Sequence, residues 1–192
     1  MLDQLYLIRH GETPWSLLGR HTSRTDVALT SQGEADARQL SARLSSVQFS
    51  RVFTSPRLRA RQTCALAGFS GRCEIEPDLT EWDYGDYEGL LSAEIQKIQP
   101  GWNIYRDGCP GGESPGEVCR RVDRFIAKLR PGNGAIAVFS HGHFGRVLAT
   151  RWINAPLETG KQLQLNPASV SVLGYEHGKA NTPVIVRWNE VG

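Results

Sequence analysis

Short apolar runs alternate with amphipathic stretches along most of this chain. Leu5-Tyr6-Leu7-Ile8 is a continuous hydrophobic run of strand length, the pattern of a strand covered on both faces. Ser31-Gln32-Gly33-Glu34 reads as a capping box that opens a helix to about Leu44. Arg51 to Thr54 predicts a second short strand. Ser55-Pro56 then offers an N-cap and a first-turn proline for a helix that ends near Ala67, where Gly68 stops it. Ser114-Pro115-Gly116-Glu117 is a second capping box, and Val118, Val122, Phe125, Ile126 and Leu129 follow at helical spacing. Ala135 to Phe139 predicts another buried strand, and Phe144 to Ile153 a helix with Val147, Leu148 and Trp152 inward. Val170 to Tyr175 and Val184 to Trp188 predict two closing antiparallel strands. Glu74 to Gly112 is looser and rich in Gly, Pro, Trp and Tyr, with one short helix from Ser92 to Ile98.

Strands that alternate with helices predict an α/β fold, a three-layer α/β/α sandwich with a largely parallel central sheet. No repeat or linker divides the chain, so residues 1–192 read as one domain with a lid-like insertion around 84–112.

Charge and cysteine content narrow the function classes. A formal charge of +2 over 192 residues, with no lysine-rich run, gives no footprint for nucleic acid. The start, Met1-Leu2-Asp3-Gln4-Leu5, has neither a positive segment nor a long apolar one, so no signal peptide or membrane span is expected. Cys64, Cys73, Cys109 and Cys119 form no CxxC pair, which gives no support for zinc or thioredoxin chemistry. A cytoplasmic protein with reduced thiols is the expectation.

Polar residues gather where three strands end. The first strand runs into Arg9-His10-Gly11-Glu12, the second into Thr54-Ser55 with Arg59 just beyond, and a third into Ser140-His141-Gly142. Ligands of open α/β sheets bind outside the carboxyl ends of the strands, so these ends are expected to line one cleft. Arg9 and Arg59 offer guanidinium forks for phosphate oxygens. His10 and His141 are imidazoles able to serve as nucleophile, acid or donor. Gly11 and Gly142 permit close approach of backbone to a ligand. Helix N-termini after Ser55 and near Gly142 favour anions. No carboxylates stand at metal-ligand spacing, so the set points to a tetrahedral oxyanion, with no metal and no cofactor.

Arg9-His10-Gly11-Glu12-Thr13 resembles the RHG signature of the histidine phosphatase superfamily, the phosphoglycerate mutase-like fold. Leu29-Thr30 with Gly33, Ser55 with Arg59-Ala60 and Thr63, Leu79-Glu81-Gly85-Glu88-Gly89, and Ser140-His141-Gly142 are similar to its further motifs, in order along nearly the whole chain. Trp82 to Gly89, Trp102 to Cys109 and Ser140-His141-Gly142-His143 resemble the sedoheptulose bisphosphatase and acid phosphatase branch. The resemblance implies a metal-independent phosphatase of small phosphorylated metabolites, a sugar phosphate or bisphosphate, acting through a phosphohistidine. It implies that His10 is the nucleophile, that Arg9, Arg59 and His141 hold the phosphoryl oxygens, and that Glu81 donates the proton. Thr22, Ser23 and Tyr84 align with substrate-contacting positions. Ser16 stands where mutases tend to have asparagine. His143 and Arg106 are branch features assigned to the distal end of the substrate.

Two other readings stay open at this point. One is a cofactor-dependent phosphoglycerate mutase, although Trp82 follows Glu81 where mutases carry arginine. The other is a phosphate-binding regulatory module. A homodimer is common in the family. His21 and His177 read as solvent-exposed, Trp15 and Trp82 as packing residues, and Arg120-Arg121 as part of an amphipathic helix.

Overall fold

The computed structural model describes residues 2–129, 133–178 and 182–192. The strands are β1 (Leu2–Arg9), β2 (Phe49–Thr54), β3 (Cys73–Ile75), β4 (Gly134–Ser140), β5 (Val170–Tyr175) and β6 (Pro183–Glu190). The α-helices are α1 (Pro14–Leu18), α2 (Ser31–Leu44), α3 (Leu58–Cys64), α4 (Ser92–Ile98), α5 (Ile104–Asp107), α6 (Pro115–Leu129) and α7 (Gly142–Trp152). The strands form one sheet in the order β3-β2-β4-β1-β5-β6. Its β3-β2-β4-β1 half is parallel, and β5 and β6 complete it in antiparallel pairing.

Successive side chains of a strand point to opposite faces, and the core divides accordingly. Leu5 and Leu7 of β1 join one cluster with Phe53 and Val138 and with Val118, Val122, Phe125 and Val147 from α6 and α7. Tyr6 and Ile8 join the other with Phe139 and with Leu40, Leu44 and Cys64 from α2 and α3. Both faces of β1 are therefore covered, which is why its sequence is a continuous apolar run. Each such leucine or phenylalanine contributes about 1.5–3 kcal/mol by burial. The α/β/α sandwich and its largely parallel sheet stand as the alternating pattern predicts.

Several local signals resolve differently from the sequence expectation. The N-cap of α2 is Thr30, one residue before Ser31, because the Thr30 hydroxyl accepts from Gly33 N at 3.0 Å while donating to Glu12 Oε1 at 2.7 Å. Helix α3 begins at Leu58 and its N-cap position is Arg57. Ser55 does not cap it, since it lies two residues before the N-cap position; its hydroxyl accepts from Arg57 N at 3.3 Å and meets His141 Nε2 at 2.8 Å. Helix α1 was not expected; Thr13 and Ser16 form a reciprocal capping box around Pro14. Cys64 and Cys73, expected as reduced thiols, are joined as a disulfide where β3 passes the end of α3. The 84–112 segment contributes Tyr84, Tyr87, Ile95, Trp102, Ile104, Tyr105 and Cys109 to the first core cluster.

One backbone contact positions the loop after β1. A Cβ on Gly33 would lie 2.2 Å from Glu12 O and 2.7 Å from Glu12 N, and one on Gly11 would lie 2.5 Å from Gly33 O. Here the first turn of α2 presses directly on the Gly11-Glu12 backbone, and only glycine allows the approach. Gly33→Ala is expected to cost about 1–3 kcal/mol of stability by overpacking. Urea unfolding compared with the wild type measures it, and an unchanged midpoint would refute the contact.

Candidate active site

Parallel pairing sets Arg9 of β1 opposite Ser140 of β4, so the next residue of each strand leaves the sheet at the same edge. Those residues are His10 and His141, whose ring centroids are 5.2 Å apart. His10 N donates to Ser140 O at 2.9 Å, fixing the first turn of the loop. The His10 ring places Nδ1 2.7 Å from Gly11 O. A carbonyl only accepts, so Nδ1 carries the hydrogen and Nε2 keeps its lone pair. Burial, then the charges of Arg59 and Arg9, hold His10 well below the ordinary imidazole range, so it is neutral near pH 7. His141 is depressed for the same first reason, burial, followed by Arg59 and His10. Its Nε2 meets Ser55 Oγ at 2.8 Å, and its Nδ1 has no partner among the described residues.

The two arginines are both buried cations. Arg9 Nη1 donates to Leu165 O at 2.5 Å, and burial lowers the group to about 10, still charged at neutral pH. Arg59 is fully buried on α3 and donates to Thr22 O at 3.0 Å and Thr25 O at 3.2 Å. Neither Nε has a partner among the described residues. The loop that Arg59 holds by its carbonyls is held from the other side by Glu88. That carboxylate accepts from Ser23 N at 2.9 Å, Ser23 Oγ at 2.6 Å and Thr25 N at 3.1 Å. Burial alone would raise the Glu88 carboxyl, but these hydrogen bonds outweigh it and leave it below the ordinary value.

Glu81 is buried at the start of α7. Its Oε1 accepts from Trp82 N at 2.9 Å and Phe144 N at 2.8 Å, and its Oε2 from His143 N at 3.1 Å. The free N–H groups of a helix N-terminus need acceptors, and here the chain's own Glu81 side-chain oxygens supply them. Arg121 steadies the segment that carries Glu81. It donates to Asp78 O and Thr80 O at 2.7 Å each and to Glu81 O at 3.3 Å, and it pairs with Glu113 at 2.7 Å. From its sequence neighbours alone, Arg121 reads as no more than part of an amphipathic helix.

A cavity of about 160 Å³ opens over these groups. Of the residues singled out from sequence, Arg9, His10, Ser16, Thr22, Glu81, Tyr84, Gly142 and His143 line it. His141 and Arg59 lie beneath, against His10. Three others are placed elsewhere. Gly11 faces Gly33 and donates its N–H to Thr63 Oγ at 2.9 Å. Ser23 is buried with its hydroxyl committed to Glu88. Arg106 is exposed on α5, paired with the neighbouring Asp107 and outside the cavity.

Sequence reasoning missed Gly19, Arg20, His21, Ser92 and Arg146, which also line the cavity. His21 is buried instead of exposed; it stacks on His143 and meets the edges of Tyr84 and Trp102. Arg146 had a readable signal, since it follows Gly142 by four residues and so shares its helix face. His143 Nδ1 and the Tyr84 hydroxyl are 2.7 Å apart, and burial, followed by Glu81, keeps the phenol protonated far above neutral pH. Among the described residues, no group of three or more His, Cys, Asp or Glu is placed to hold a metal ion, and no helix is long and apolar enough to cross a membrane.

Comparison with known proteins decides the family. The family model of the histidine phosphatase superfamily (branch 1) matches residues 5–191. The chain belongs to the histidine phosphatase superfamily. An acid phosphatase of Mycobacterium tuberculosis is 39% identical over 95% of this chain and 91% of its own. A sedoheptulose 1,7-bisphosphatase of Saccharomyces cerevisiae is 34% identical over 82% of this chain and 72% of its own. A solved Mycobacterium tuberculosis structure superposes with a TM-score of 0.92 at 37% identity and covers 98% of both chains. This histidine phosphatase is a phosphoric monoester hydrolase.

Its buried neutral imidazoles carry a pH signature. His10, His141 and His143 are held well below the ordinary value of 6.5, and His21 is lowered too, in each case first by burial. Below 6.5 the unfolded chain binds protons that the native protein does not. Stability is therefore complete above about pH 6.5 and falls as the pH drops toward the folded values, by up to about 1.4 kcal/mol per histidine per pH unit. Urea midpoints between pH 7.5 and 5 measure this; a flat profile would show that the imidazoles titrate in the fold as they do in the unfolded chain.

Proposed function

We propose that this phosphatase hydrolyses small phosphorylated metabolites through a phosphohistidine on His10, without a metal ion. The observation that carries the reading is the 2.7 Å contact of His10 Nδ1 with Gly11 O, which leaves Nε2 with a lone pair beside buried cations. Nε2 attacks phosphorus and the P–O ester bond breaks. Arg9, Arg59 and His141 stabilise the charge that develops on the equatorial oxygens. Glu81, at the cavity wall, gives its proton to the leaving alkoxide. The resulting carboxylate is stabilised by the N–H groups of Trp82, His143 and Phe144. In the second half, Glu81 takes a proton from water as the water oxygen attacks phosphorus. The P–N bond breaks, inorganic phosphate leaves, and both residues return to their starting state. The acid phosphatase and sedoheptulose 1,7-bisphosphatase relatives support sugar phosphates and bisphosphates as the substrate class, with breadth across it.

The test is phosphate release by purified protein in the presence of a chelator, from an aryl phosphate, 3-phosphoglycerate and sugar mono- and bisphosphates. His10→Ala is expected to lower kcat by at least about a thousandfold. Wild-type enzyme quenched during turnover should retain phosphate through alkali and lose it in acid, as a phosphoramidate does. Undiminished release from His10→Ala, or no such labelled enzyme, overturns the reading.

A further inference from the structure

Of the two adjacent arginines on α6, only one faces solvent. Arg120 is exposed, whereas Arg121 shares the buried side of the helix with Val118, Val122 and Phe125. A guanidinium has five N–H donors, and in Arg121 all five are committed. Nε and Nη2 donate to the two carboxylate oxygens of Glu113 at 2.8 and 2.7 Å. Nη1 donates to Asp78 O and Thr80 O at 2.7 Å each, and Nη2 also reaches Glu81 O at 3.3 Å. No donor is left for a ligand, and Arg121 is not among the residues lining the cavity over His10.

These acceptors converge on the segment that carries Glu81. Glu113 extends the clamp: its Oε2 accepts from Asp83 N at 2.9 Å, its carbonyl accepts from Trp82 Nε1 at 2.9 Å, and its N donates to Asp83 O at 2.9 Å. One ion pair therefore grips the backbone on both sides of the carboxyl group. The Arg121 guanidinium also lies over the Phe144 ring, 5.0 Å from its centroid, and Phe144 N donates to Glu81 Oε1. Both partners of that hydrogen bond are thus held by the same cation. Oε1 accepts two N–H groups, whereas Oε2 accepts only His143 N, which leaves Oε2 a lone pair for a transferable proton. A Cβ on Gly142 would lie 3.7 Å from that oxygen and 3.5 Å from the Arg9 guanidinium, so Oε2 stands beside two residues of the cavity wall.

We propose that Arg121, paired with Glu113, is the positioning residue for proton transfer by Glu81: it fixes where Oε2 stands relative to the leaving oxygen of the ester and itself touches no substrate. This rests on the phosphatase reading above and adds to it what holds the proton donor in place. A carboxyl group displaced by about 1 Å loses much of its general-acid contribution, while the nucleophile and the buried cations stay where they are. The loss then falls on esters whose leaving oxygen needs a proton, and it spares those whose leaving group departs as a stable anion. An arginine that only stabilised the fold would affect both kinds of ester alike.

Two esters of similar size test it. Benzyl phosphate releases an alkoxide that needs a proton; 4-nitrophenyl phosphate releases a phenolate that does not. The readout is kcat/KM, which covers the steps through departure of the alcohol and leaves out hydrolysis of the phosphohistidine. Glu81→Gln sets the scale: it is expected to lower the benzyl value about 100- to 10,000-fold, the usual contribution of a general acid, and the nitrophenyl value far less. Arg121→Lys keeps the charge but loses the planar fork. It should lower the benzyl value about 10- to 100-fold and change the nitrophenyl value less than about threefold. Glu113→Gln should follow the same pattern, and it carries the test if urea unfolding shows that Arg121→Lys does not fold. Arg120→Gln should leave both esters as they are.

The double variant Glu81→Gln/Arg121→Lys shows whether the arginine acts through the carboxyl group. Benzyl phosphate turnover no lower than in Glu81→Gln alone supports the proposal; a further loss equal to that of Arg121→Lys by itself overturns it. If Glu81→Gln separates the two esters but Arg121→Lys and Glu113→Gln lower both equally or neither, the positioning role is refuted and the phosphatase reading stands. If Glu81→Gln lowers both esters equally, proton transfer by Glu81 fails and the positioning role fails with it, whereas the phosphohistidine is judged separately by His10→Ala.

Discussion

The parallel register of β1 against β4 is the constraint on which the site depends. Because Arg9 lies opposite Ser140, His10 and His141 emerge side by side at the carboxyl edge of the sheet. They leave the central strands directly into a layer covered from both sides, and this burial is the first cause of their neutrality. A neutral imidazole with Nδ1 tied to a carbonyl is what a phosphoryl-accepting nitrogen requires. The same geometry would be lost by a register slip of one residue, which would turn Leu5 and Leu7 toward the wrong half of the core.

The second organising contact lies at the N-terminus of α7. Helix starts near Gly142 and after Ser55 looked from sequence like phosphate cradles, and the structure uses them otherwise. Glu81 fills the first with its own carboxylate. At the second, Ser55 Oγ accepts from Arg57 N at 3.3 Å and engages His141. The guanidinium and imidazole groups are thus left to face the cavity, while the α7 helix end orients Glu81.

The fold was readable because its signals are local. The apolar runs of β1, β4 and β5 and the spacing of Val118, Val122, Phe125 and Leu129 each report burial within a single element. What the sequence concealed depends on contacts far apart along the chain. Arg121 looks like half of a surface pair until Glu113 and the carbonyls of Asp78, Thr80 and Glu81 are brought beside it. His21 has no local mark of burial; Tyr84, Trp102 and His143 create it. Arg106 misled for the opposite reason: its partner is the next residue, so its charge is satisfied before any ligand arrives.

Arg59 does two jobs with one planar group. Its Nη atoms hold the carbonyls of Thr22, Ser23 and Thr25, while its charge acts on both histidines. A guanidinium can do this because its donors fan out in a rigid plane. An ammonium at the same place would supply the charge but would have to choose between loop and ligand. The position is thus closed to the most ordinary of basic exchanges, and the wall of the cavity and the cation beside His10 can change only together.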